Sequence, residues 1–111
     1  MNNILLFTND IELGTSLSER LLLADKKIIF IDKLFNIHNE AEIFIIDLDD
    51  HEIKPNKIVK ILEKYSTIRV IGVMKKIQKK LWNDYKEAGC EMIYLRSSLI
   101  KNIDTILLNT N

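Results

Sequence analysis

Four consecutive apolar residues, Ile43-Phe44-Ile45-Ile46, run without alternation into a knot of carboxylates at Asp47, Asp49 and Asp50. An unbroken run of this length, rich in β-branched residues, suits a strand buried on both faces, as in the middle of a parallel sheet. In open α/β sheets, ligands and chemistry lie just beyond the carboxyl ends of such strands. Asp47 is the first polar residue to emerge there, which makes it the first candidate for a working group.

The rest of the chain supplies the partners that such a strand needs. Ile4 to Phe7 is a second continuous apolar run, followed by Thr8-Asn9-Asp10, which suits a turn and a helix N-cap. From Ile11 to Lys26, Leu13, Leu17, Leu21 and Ala24 recur at helical spacing. Ile28 to Ile31 reads as the second strand. About nine residues, 32 to 40, then separate it from the third, so any crossover helix, over Leu34 to His38, is short. Pro55 suits the first turn of a helix whose buried face is Ile58, Ile61, Leu62 and Tyr65. Ile68 to Val73 is the fourth strand. Ile77, Leu81, Tyr85 and Ala88 then line a helix that Gly89 stops. Met92 to Leu95 is the fifth strand, and Ser97-Ser98 caps a last helix with Ile100, Ile103, Ile106 and Leu107 inward.

Strands alternating with helices give an α/β fold: a flavodoxin-like, doubly wound, five-stranded parallel sheet of order 2-1-3-4-5, with helices on both faces and a shortened second helix. A chain of 111 residues is expected to form one domain, residues 1–111. Sixteen basic against sixteen acidic side chains leave no net charge, so the whole chain has no pull toward nucleic acid or an anionic membrane. A lone Cys90 excludes an intramolecular disulfide and fits a reducing compartment. With no basic leader and no apolar run long enough to span a bilayer, the expected location is cytoplasmic. His38 and His51 read as solvated loop residues. The basic run of Lys75, Lys76, Lys79 and Lys80 reads as a solvated helix face.

In this topology the loops after the first, third, fourth and fifth strands converge on one rim, bringing together Thr8-Asn9-Asp10, Asp47, Met74 and Arg96. On two segments the chain resembles the receiver domain of bacterial two-component response regulators. FIIDLDD is similar to the phosphoacceptor strand, with Asp47 at the acceptor. Glu87 to Ser98, EAGCEMIYLRSS, is similar to the Ala-Gly-Ala-Asp-Asp-Tyr-Leu-x-Lys-Pro segment, with Ala88-Gly89-Cys90 in register.

The resemblance implies a degenerate phosphorylation site. The acidic pair that holds Mg²⁺ in the family falls on Thr8 and Asn9. At most a weak metal site is expected, at Asn9, Asp10 and Asp47, because a hard dication prefers carboxylate oxygen. The hydroxyl that switches the family falls on Met74, which has no O–H to donate. The family's lysine falls on Arg96, its proline on Ser97, and its aromatic switch position on Ile93, beside Tyr94. Asp47 is therefore expected to be a charge partner of Arg96 rather than a phosphoacceptor, with no cofactor.

Three readings of function follow. The first is a non-enzymatic, atypical receiver that works without phosphorylation as a protein-interaction module, as the amino-terminal regulatory domain of a DNA-binding transcription regulator. Its partners would be an effector domain or target protein, with no direct nucleic acid or membrane contact. A homodimer through the family's fourth and fifth helices, in the Trp82 and Tyr85 region, belongs to the same reading. The second is a stand-alone single-domain receiver. The third is a small flavodoxin-like enzyme or cofactor binder with a phosphate cradle near Thr8, Thr15 and Ser16, although that loop lacks the glycine-rich composition of such cradles.

Overall fold

A computed structural model describes residues 3–31 and 41–108. The elements, in chain order, are β1 (Asn3–Phe7), α1 (Ile11–Leu23), β2 (Lys27–Phe30), β3 (Ile43–Asp47), α2 (Pro55–Lys64), β4 (Arg69–Met74), α3 (Lys79–Ala88), β5 (Met92–Leu95) and α4 (Arg96–Leu108). The five strands form one parallel sheet of order β2-β1-β3-β4-β5, as the sequence pattern predicts. The short helix expected over Leu34 to His38, and His38 itself, lie outside the described residues.

Strand β3 sits between β1 and β4, and all five of its residues are buried. Its side chains alternate between two cores, as strand geometry requires. Phe44 and Ile46 join Leu5, Ile58, Ile61 and Tyr85 on the face covered by α2 and α3. Ile43 and Ile45 join Leu6, Leu17, Leu99 and Ile103 on the face covered by α1 and α4. Full burial of each such side chain contributes about 1.5–3 kcal/mol, so the central strands dominate stability.

Several expectations at element ends need correction. Helix α1 stops at Leu23, where the chain turns through Ala24 and a left-handed Asp25 (φ 58°), so Ala24 is exposed rather than part of the apolar stripe. Ile77 precedes α3 and is 52% exposed, because the helix starts at Lys79. No loop separates β5 from α4. Arg96 begins the helix directly, so Ser97 and Ser98 lie in its first turn instead of capping it, and Leu99 joins the buried row.

Two glycines are placed by geometry. Gly89 ends α3 with φ 124°, a conformation that disfavours a side chain, as expected of its stop position. Gly72 in β4 lies under Leu48, whose Cδ1 would be 2.5 Å from an added Cβ. Leu48 also donates its backbone N–H to the Val73 carbonyl, which extends the β3–β4 pairing one residue past Asp47. The acidic loop thus leaves the sheet from a fixed point.

Candidate functional site

The rim at the carboxyl ends of the strands is built around Arg96. Its Nη1 donates to Asp10 Oδ2 at 2.5 Å and its Nη2 to Asp47 Oδ2 at 2.8 Å, with Asp49 Oδ2 further off at 3.5 Å. The guanidinium is planar and forked, so one side chain can address two carboxylates at once. A lysine ammonium, a compact point charge, lacks this fixed fork.

Each carboxylate is also fixed by its own element. Asp47, at the end of β3, is 4% exposed. Its Oδ2 accepts from the Thr8 hydroxyl at 2.8 Å as well as from Arg96, and its Oδ1 accepts the Asp49 backbone N–H at 3.1 Å. Asp10 is the N-cap of α1: its Oδ1 accepts the Leu13 N–H at 3.1 Å. That backbone bond, with Arg96 nearby, holds the Asp10 carboxyl below its usual range in spite of partial burial. Thr8 closes the circuit by accepting the Asp10 N–H at 3.0 Å.

The outer ring of acids is held by backbone. Asp49 accepts the Lys75 N–H at 2.7 Å, which ties the loop after β3 to the end of β4. Asp50 accepts from the Asn9 side chain at 2.8 Å and from the Glu52 N–H at 2.9 Å. His51 lies 3.8 Å from Asp50 and is exposed, as expected of a solvated loop histidine. Asn9, the four aspartates, His51, Lys75 and Arg96 line an open hollow of about 560 Å³.

Asp10, Asp47 and Arg96 are thus brought together. Asn9 is beside them, but its amide is turned to Asp50. Met74 is the exception: it is buried in the core on the α2–α3 face and does not reach the rim, because strand alternation sends its side chain inward. The sequence alone does not define the roles of Asp49 and Asp50. Their place in the acid knot marked them, but which backbone N–H each would accept depends on loop geometry.

The donors here do not fit Mg²⁺. A dication needs oxygens converging on an open point. Here the space between the Asp10 and Asp47 carboxylates is taken by a guanidinium bonded to both, the Thr8 hydroxyl is committed on both sides, and Asn9 faces away. Among the described residues no three His, Cys, Asp or Glu side chains form a group that could hold a metal ion.

No family model matches the sequence, and no curated protein is similar to it. Solved structures are. A response regulator from Thermotoga maritima superposes with a TM-score of 0.80 at 14% identity, covering 98% of this chain and 99% of that one. A chemotaxis protein of Vibrio cholerae gives 0.81 at 10%, covering 100% and 99%. An orphan response regulator of H. pylori gives 0.76 at 16%, covering 95% of each chain. The fold is that of response-regulator receiver domains.

On this receiver fold the remaining candidates fall into place. Cys90 is buried beside Tyr85, and burial pushes both groups up to about 12, so Cys90 is a packed thiol. The Tyr85 hydroxyl donates to the Ile53 carbonyl at 3.1 Å, which pins the end of the acidic loop to α3. Trp82 packs in part against the core, with the Lys86 ammonium 5.6 Å from its ring. Near Thr8 and Thr15 a second hollow of about 660 Å³ is also lined by Asp10, Glu19, Ile11 and Phe30. Two carboxylates and apolar walls oppose a phosphate, and Ser16 is not among the lining residues. Among the described residues no helix is long and apolar enough to cross a membrane.

Proposed function

We propose that the chain is a receiver-type signalling module whose rim state is set by Arg96 rather than by phosphoryl transfer, and that it acts by binding a protein target. The carrying observation is the double engagement of Arg96 with Asp10 and Asp47. Phosphoryl transfer to a carboxylate depends on metal and cation positioning. Here the rim-facing oxygen of Asp47 already accepts two hydrogen bonds, and the cation beside it is built in.

The receiver reading is supported by superposition over nearly the whole of the Thermotoga and Vibrio chains. The test is incubation with acetyl phosphate and Mg²⁺ followed by intact mass spectrometry. No adduct is expected. A stoichiometric phosphoryl adduct that disappears in Asp47→Asn would overturn the reading.

A further inference from the structure

The chain is neutral as a whole but sharply divided. Residues 51–88 hold ten of its sixteen Lys and Arg but only four of its sixteen Asp and Glu. This segment contains α2 and α3, which lie side by side on one face of the sheet. Eight of its lysines are exposed, among them Lys57, Lys60 and Lys64 along α2 and Lys76, Lys79 and Lys80 at the start of α3. Lys57, Lys60 and Lys64 stand three and four residues apart, a spacing at which like charges on a helix repel. Among the described residues, the ion pair on this surface is that of Lys80 with Asp84, at 3.9 Å and with Lys80 92% exposed.

The helix starts add to the imbalance. Neither α2 nor α3 has a side-chain N-cap bond or an acidic residue in its first turn, and Lys79 and Lys80 open α3. Cations at a helix N-terminus oppose the macrodipole. By contrast α1 has both the Asp10 cap and Glu12. Unfavourable charge is therefore concentrated on one face, where an anionic partner would relieve it. Exposed Val59 and Ile77 lie among the lysines.

We infer that the α2–α3 face is a docking surface for an acidic segment of a partner protein, one that carries apolar residues among its carboxylates. This rests on the reading that the domain acts by binding a protein. The cations favour that partner over nucleic acid: the exposed ones are all lysine, without the arginine forks that read bases and phosphates, since Arg69 is bound to Glu91. The patch is also bordered by the acids of the rim, Asp49 and Asp50, which repel a long uniform polyanion but leave room for a short segment. Membrane binding lacks a fully exposed aromatic anchor on this face, because Trp82 and Tyr65 are both partly buried against the core.

The test is fluorescence anisotropy with a labelled glutamate peptide carrying interspersed leucines, about twenty residues long, enough to cross the 29 Å width of the molecule as a helix. Saturable binding that weakens with added salt is expected. Lys57→Glu/Lys76→Glu should lose roughly tenfold or more in affinity, about 1.4 kcal/mol. The control Lys27→Glu/Lys101→Glu, with the same change in net charge on other surfaces, should lose much less. Absence of binding by the wild type, equal losses in the two variants, or tighter binding of a thymidine oligonucleotide or of phosphatidylserine vesicles would each overturn the inference. The acetyl phosphate assay reads the rim alone, so the two proposals fail separately.

Discussion

Two arginine–carboxylate sites stand at opposite ends of the sheet, and they differ in what they can do. At the amino end, Arg69 of β4 grips Glu91, which precedes β5: its Nε lies 2.9 Å from Oε2, and its Nη2 donates to the same oxygen. Glu91 is 44% exposed, so water screens the pair. At the carboxyl end, Arg96 is 23% exposed and holds an Asp47 that is almost wholly buried, with Asp10 as a second partner. The chemistry is the same, but burial decides the consequence. An exposed pair is worth little, whereas removing one member of a buried pair leaves an uncompensated charge.

The sharpest way to break this contrast is Arg96→Met. It leaves Asp47 buried without its cation and should cost about 3–5 kcal/mol in urea unfolding. A loss no larger than that at Arg69 would remove the distinction. Asp47→Asn should come next, at about 1–3 kcal/mol, because Arg96 keeps Asp10 while the inner charge is gone. Unchanged stability in this variant would mean that the inner pair contributes nothing.

Acid titration separates the two ends further. The Leu13 N–H, with help from Arg96, holds Asp10 below its usual range, and the bond from Arg69 does the same for Glu91. A carboxyl with a lowered folded pKa contributes stability that is complete above its ordinary value, about 4, and is lost as pH falls through the folded value. Asp10→Ser keeps a cap acceptor but not the titrating group. Its urea midpoint should therefore fall less than that of the wild type on acidification, and an identical fall would remove Asp10 from the account. The smallest effect is expected from Glu91→Gln: about 0–1 kcal/mol at low salt, vanishing as salt is added.

How much of this was readable beforehand differs between backbone and rim. The sheet order was legible because the runs at Ile4, Ile43 and Ile68 are long, apolar and spaced by helical periodicity. The pairing of Asp47 with Arg96 was legible from topology, which sends both to one edge. The same topology sends Asp10 to that edge, but its direct bond to Arg96 was not legible, because the sequence pattern suggests a cap at Ser97-Ser98 where Arg96 in fact opens α4. Ile77 and Ala24 misled because periodicity continues past the point where the backbone leaves the helix. Met74 misled because a position in register with a rim hydroxyl does not ensure that its side chain faces the rim.

The direct passage from β5 into α4 has a mechanical consequence. Arg96 is both the clasp on Asp10 and the first residue of a helix of 13 residues, about 20 Å long. Further along, the Arg20 guanidinium donates to the Ile100 carbonyl at 3.2 Å, a second rivet between α1 and α4. Around these two points Leu17 and Leu21 of α1 share a buried core with Leu99, Ile103 and Ile106 of α4, so polar ties stand at the rim and midway along an apolar seam, and the guanidinium that meets the acids of the rim is anchored through its own backbone in that layer.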